Sequence, residues 1–147
     1  MNNGRTFLPI AMVVVGAIGA AIGFAFVKPS LHIQSDDPNL QTLADAASRL
    51  NKLLPMMVDA ETRGDSMEPR APNTMVYHYT LVKRTKAELH SYWPSIAKIV
   101  RRQIVNNYKT ADAMKELRQA GVTLAYEYYD KNGVFIAEIE VKASDLD

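Results

Sequence analysis

The chain has 147 residues, 48% of them hydrophobic, with 17 basic and 16 acidic side chains and a formal net charge of +1. That balance excludes the pervasively basic surface of a general nucleic-acid binder. The absence of cysteine excludes disulfides, thiolate zinc sites, cysteine nucleophiles and lipoprotein acylation.

Phe7 to Val27 reads FLPIAMVVVGAIGAAIGFAFV, 21 residues without a charged side chain. A helix of that length spans roughly 30 Å, about the hydrocarbon thickness of a bilayer, and backbone exposed to lipid must be helical. Pro9 falls in the first turn, where its missing N–H costs nothing. The expected organisation is a cytoplasmic stretch at 1–6, a transmembrane signal anchor at 7–27, a tether at 28–37 and one domain at 38–147. Arg5 and the α-amino group precede the run, and Lys28, Asp36 and Asp37 follow it. The positive-inside rule therefore places the N-terminus in the cytoplasm and the domain outside. Two other readings stand beside it. Ala21-Ile22-Gly23 offers small residues at a cleavage-like spacing, as in a signal peptide that releases the domain as a secreted protein. A buried helix of a soluble protein is the third. Gly16, Gly19 and Gly23, with a GxxxG from Gly19 to Gly23, form a candidate dimerisation surface for the membrane helix. Glycine and alanine are also common in membrane segments generally.

Pro29, Ser30, Ser35 and the two aspartates mark the tether. Asp37-Pro38 reads as an N-cap followed by proline at the first helical position. Leu40, Leu43, Ala47, Leu50 and Leu54 then recur at helical spacing, one face of an amphipathic helix that ends before Pro55. Pro55 to Asn73 reads mostly as loop, with Met56 to Val58 as a short strand within it. Thr74 to Val82 alternates as a strand, Met75, Tyr77, Tyr79 and Leu81 on one face and Val76, His78, Thr80 and Val82 on the other. Thr85 to Glu88 fits a capping box. Pro94 either kinks the helix that follows or opens a new one, with Ile96, Ile99, Val100 and Ile104 inward. Thr110 is expected to cap a last helix over 111–120, with Met114 and Leu117 inward and Gly121 at C′. VTLAYEYY and VFIAEIEV are alternating strands joined at Asp130-Lys131-Asn132-Gly133. The expected fold is α+β: a mostly antiparallel sheet of three or four strands with helices on one face.

No catalytic spacing is present: no HExxH, GxSxG, phosphate-binding glycine loop or EF-hand loop occurs. His32, His78 and His90 fall in different elements, so no three-histidine zinc site is expected. Asp59, Glu61, Asp65 and Glu68 form an acidic cluster that could hold a hard cation or simply be solvated. The expectation is no metal, no cofactor and no enzyme. A small-ligand or enzymatic alternative would require His78, a carboxylate and a tyrosine to converge. Tyr77, Tyr79, Tyr126 and Tyr128 are either sheet-face packing or an aromatic patch for a partner. Lys98, Arg101 and Arg102 are a candidate basic surface for an acidic partner or anionic lipid, or a solvated helix face. Charge is uneven: Lys83 to Arg118 carries nine basic and three acidic residues, and Gln119 to Asp147 two basic and six acidic.

Two stretches, Asn51-Lys52-Leu53-Leu54-Pro55-Met56-Met57-Val58-Asp59 and Gly121-Val122-Thr123-Leu124 continuing to Tyr128-Tyr129-Asp130-Lys131-Asn132-Gly133, resemble a group of small bacterial envelope proteins with an N-terminal export or membrane segment. The resemblance covers roughly residues 40–145. Members often carry a cysteine pair that this chain lacks. The resemblance implies a bacterial, envelope-located α+β protein and supplies no catalytic residues. The anchor, the tyrosine-bearing strands and the lack of a catalytic constellation point to a single-pass inner-membrane protein whose periplasmic domain binds another protein. Such a module would be accessory or inhibitory in secretion, conjugation or immunity. The alternatives are a ligand-binding or enzymatic envelope protein and a self-assembling membrane element, with homodimerisation through the glycine surface.

Overall fold

The computed structural model describes residues 38–147, with side chains from Leu40 onward. The expected membrane segment 7–27, the tether, His32 and the glycines Gly16, Gly19 and Gly23 lie outside the described residues. Among the described residues no helix is long and apolar enough to cross a membrane.

Helix α1 runs Pro38–Asn51. Its stripe is buried as its spacing predicts, with Leu43 3%, Ala47 2% and Leu50 6% exposed. Pro55 disfavours helical backbone at Leu54, and the chain turns into β1, Met56–Met57. The segment expected to be mostly loop holds a nine-residue strand, β2, Thr62–Arg70. β3 spans Thr74–Leu81. The capping box forms: the Thr85 N–H donates to Glu88 Oε2 at 2.7 Å and the Glu88 N–H to Thr85 Oγ1 at 3.3 Å. It opens only a single turn, α2, Lys86–Leu89. Pro94 then sits in the first turn of a separate helix, α3, Trp93–Thr110, which is the second of the two outcomes its position allowed.

Thr110 does not cap the next helix. Its hydroxyl donates back to the Asn106 carbonyl at 2.8 Å, as a hydroxyl inside a helix commonly does. The segment after it is a 3₁₀ turn, Asp112–Met114, and a short α4, Lys115–Gln119. Gly121 follows at φ +64°, the left-handed C′ position that favours glycine. β4, Thr123–Asp130, and β5, Phe135–Val141, form the hairpin, and a 3₁₀ turn, Ala143–Leu146, follows. In the hairpin loop Gly133 takes φ +78°. The Asp130 carboxylate accepts the N–H groups of Asn132 and Val134 at 2.8 and 2.9 Å and reaches the Lys86 N–H of α2 at 2.9 Å.

The sheet has five strands in the order β1-β2-β3-β4-β5, not three or four. Its pairings are antiparallel except that β3 and β4 run parallel. The helices α2, α3 and α4 lie in the connection between these two, which a parallel pair requires. Register places Met75, Tyr77 and Tyr79 beside Leu124, Tyr126 and Tyr128, and these beside Val141, Ile139 and Ala137. That face joins α1 and α3 in one apolar core with Ile96, Val100, Ile104 and Tyr108. On the opposite face Val76 and Ala125 are buried but stand apart from that core. Helices therefore cover one face, as expected, and charged side chains cover the other.

Candidate functional site

Tyr77, Tyr79, Tyr126 and Tyr128 are 1, 1, 2 and 1% exposed. They present no surface to a partner, because their alternation falls on the helix-covered face. The rings stack across β3 and β4: Tyr77 to Tyr126 at 4.8 Å between centroids, Tyr79 to Tyr126 at 6.0 Å and Tyr79 to Tyr128 at 5.7 Å. Trp93 of α3 closes the row edge-on to Tyr128 at 5.4 Å. Burial holds all four phenols above their ordinary pKa, so they are neutral packing groups. The hydroxyls of Tyr77 and Tyr79 have no hydrogen-bond partner, whereas Tyr108, pushed up to about 12 by burial, donates to the Val122 carbonyl at 2.7 Å.

The three basic candidates separate. Arg101 is tied down, donating to the Glu140 carbonyl at 2.8 Å and to Asp145 at 3.0 Å. Lys98 and Arg102 are exposed on a helix whose sequence, WPSIAKIVRRQIVNNYKT, contains no carboxylate. The acidic cluster is dispersed among structural tasks. Asp59 accepts the N–H groups of Glu61 and Thr62 at 2.7 and 2.8 Å. Asp65 accepts from Thr80 and Arg63. Among the described residues no group of histidines and carboxylates is arranged to hold a metal.

The distinctive surface is the open sheet face. Glu138 lies opposite Glu127 in the register, and like charges at such a position repel. Arg70 relieves them from β2: its guanidinium is 2.8 Å from Glu138, 3.6 Å from Glu127 and 3.9 Å from Glu140. This bridge from β2 to β5 crosses β3 and β4 over Val76 and Ala125, which accounts for their burial outside the core. The Arg70 hydrogen bond holds Glu138 below the ordinary carboxylate range. His78 sits between two carboxylates, Nδ1 3.2 Å from Glu127 and Nε2 3.3 Å from Glu68. The Tyr129 hydroxyl donates to Glu127 at 2.6 Å, and that bond pushes its pKa up to about 12. A histidine, a carboxylate and a tyrosine thus converge, but on an open face, with a phenol that keeps its proton.

Apolar side chains are exposed at both margins of the sheet: Leu53, Met56 and Met57 beside β1, and Val134 and Phe135 at the start of β5. Neither the carboxylate face nor these margins were singled out from sequence. The signal for the face was present, since Glu127, Glu138 and Glu140 occupy strand positions out of phase with the buried residues. Arg70 carried no such signal, because its segment reads as loop.

The described residues define a small α+β protein with a mixed five-stranded sheet and helices on one face. The chain belongs to the family described as a domain of unknown function, DUF8479, whose profile matches residues 39–135. No curated protein matches it. Among solved structures it is similar to a Pseudomonas aeruginosa protein described as secreted, at TM-score 0.63 and 15% identity over 78% of this chain and 99% of that one. It is also similar to the type II secretion pilotin EpsS of Vibrio vulnificus, at TM-score 0.57 and 11% identity over 74% and 91%. The pilotin AspS of Vibrio cholerae matches at TM-score 0.50 and 10% identity over 72% and 90%. At these identities the likeness is one of fold.

Proposed function

We propose that this protein is a membrane-anchored accessory module of bacterial secretion, whose periplasmic domain binds another protein. The observation that carries the reading is the fold itself, shared over most of the chain with two type II secretion pilotins. The apolar run at 7–27 supplies the anchor, and the resemblance to envelope proteins agrees with the location. The described surface fits recognition better than turnover: its tyrosines are locked in the core, and its charged groups are paired across an open sheet face. Self-assembly through Gly16, Gly19 and Gly23 is compatible with this role.

The test is photocrosslinking in intact cells from probes at Met57 and Phe135, one at each margin of the sheet, with mass spectrometry of the adduct and of the chain's own N-terminus. A specific adduct with a secretion component is the expected result. Adducts with this chain alone, or none, overturn the reading. An N-terminus at Met1 supports the anchor, and one at Phe24 replaces it with a cleaved, periplasmic form.

A small-ligand reading rests on the convergence of His78, Glu127 and Tyr129. It predicts that His78→Ala abolishes binding of a ligand while leaving the partner adduct intact.

A further inference from the structure

The two margins of the sheet are treated differently. On the β2 side, beyond the short β1, the Met67 N–H donates to Asn51 Oδ1 at 2.8 Å and the Met67 carbonyl accepts from Asn51 Nδ2 at 2.8 Å. The next residue on that edge with the same orientation is Pro69, which has no N–H to offer. That edge is closed to another strand.

β5 is the other terminal strand. The Glu140 carbonyl accepts from Arg101 Nη1 at 2.8 Å, so it points away from β4. Alternate residues of a strand direct their backbone groups to the same edge. Glu138 therefore turns its N–H and carbonyl outward as well, and among the described residues no side chain occupies them. The side chains that border this edge on the open face are carboxylates: Glu138 and Glu140, with Glu127 behind them on β4. They share one guanidinium, Arg70, and Glu140 also lies 3.6 Å from Lys142 Nζ, so three carboxylates face two cations and the row keeps a net negative charge. Phe135, 44% exposed, offers an apolar contact at one end. A second copy of β5 paired edge to edge would bring carboxylates against carboxylates, which is unfavourable.

We propose that the β5 edge is a docking site for an extended segment of the partner protein. The segment adds as a sixth strand and carries Lys or Arg at alternate positions that lie beside Glu138 and Glu140. Backbone hydrogen bonds to Glu138 supply attachment and the carboxylates supply selection, the division of labour usual in strand addition. The inference rests on the protein-binding reading and specifies where and by what chemistry it occurs.

The test uses the full-length protein in detergent micelles and two nine-residue probe peptides, one alternating Lys with Val and Thr, the other alternating Glu with them. Binding and amide hydrogen exchange of residues 135–141 are measured. The expected result is binding of the Lys peptide alone, with slowed exchange at Glu138. Glu138→Pro removes the outward N–H without touching the β4 ladder and should weaken binding at least tenfold. Glu138→Gln with Glu140→Gln keeps the backbone and should weaken it severalfold, with the salt dependence lost. If Glu138→Pro unfolds the domain, the double Gln variant decides. No binding to the unaltered protein, equal binding of both peptides, or binding indifferent to a folded Glu138→Pro overturns the proposal. A partner crosslinked in cells together with any of these results leaves the protein-binding reading standing and removes only the edge.

Discussion

Asn51 completes the edge of β2 by bonding both backbone groups of Met67, one at Oδ1 and one at Nδ2, each at 2.8 Å. A side-chain amide carries a donor and an acceptor at about the spacing of a peptide group, so the last residue of α1 acts as one rung of a missing strand. It also fixes the helix against the sheet at Met67, which is 2% exposed. Asn51→Ala leaves two backbone groups to find water at a half-buried place and should cost about 1–2 kcal/mol in urea unfolding. Asn51→Asp keeps an acceptor but cannot donate to the carbonyl, so it should be no better than alanine at neutral pH. An Asp variant as stable as the parent would contradict this pairing.

The buried tyrosines divide by whether the hydroxyl has a partner. Tyr77 and Tyr79 have none, and a buried hydroxyl left unpaired is a net cost. Tyr77→Phe and Tyr79→Phe should be neutral or stabilising by up to about 1 kcal/mol. Tyr108→Phe strips the donor from the Val122 carbonyl and should cost about 1–2 kcal/mol. Denaturant midpoints of the three variants check the contrast, which fails if Tyr79→Phe is the most damaging.

The same tyrosines show what the sequence could convey. Their alternation at Tyr77, Tyr79, Tyr126 and Tyr128 identifies two strands with aromatic faces. It does not say which face the helices cover, because that depends on how β3 and β4 are laid side by side. Their parallel pairing is a nonlocal fact that neither strand's own residues reveal. β2 was hidden for a local reason. Its sequence, TRGDSMEPR, contains Gly64, Asp65 and Pro69, all signals of a turn. A register shift between Gly64 and Ser66 breaks the alternation that would have marked it. Each of the three has a place there: Gly64 lies under Leu54 and Tyr79, where a Cβ would be 3.4 and 3.6 Å from their side chains, Asp65 occupies the bulge, and Pro69 faces the edge. The helix stripe of α1, the capping box at Thr85 and the Asn132-Gly133 turn were legible because each is a local pattern.

Arg70, at a half-exposed position, is shared by three carboxylates. Arg70→Met keeps the aliphatic cover over Val76 and Ala125 but removes the charge. The loss should be modest, about 1 kcal/mol at low salt, since exposed pairs are worth little. Its signature lies in its conditions. Glu138 is held below its ordinary pKa by Arg70, so the contribution is present above about pH 4.3 and lost as pH falls through the folded value. The gap between Arg70→Met and the parent should shrink in about 0.5 M salt and below that pH. A gap unchanged by both would mean that packing over Val76, and not charge, is what Arg70 provides.

Asp130 joins the hairpin loop to α2 through the N–H groups of Asn132, Val134 and Lys86. These bonds, with that from Lys86 foremost, hold its carboxyl below the usual aspartate range. A depressed folded pKa means that the unfolded chain takes up the proton first. The contribution of Asp130 is therefore complete above the ordinary value of about 3.9 and is lost as pH falls through the folded value. Asp130→Asn presents an amide where three N–H donors converge, and it should lower the urea midpoint at pH 7. Below about pH 4 the parent loses the same advantage by protonation, so the two unfolding curves should draw together. Glu138 and Asp145 are also held low by their partners, and they leave both proteins with a common residual acid sensitivity. Midpoints measured from pH 7 to pH 3 decide the matter: a difference that stays constant or widens toward pH 3 would show that the ionised carboxylate is not what holds the loop against α2.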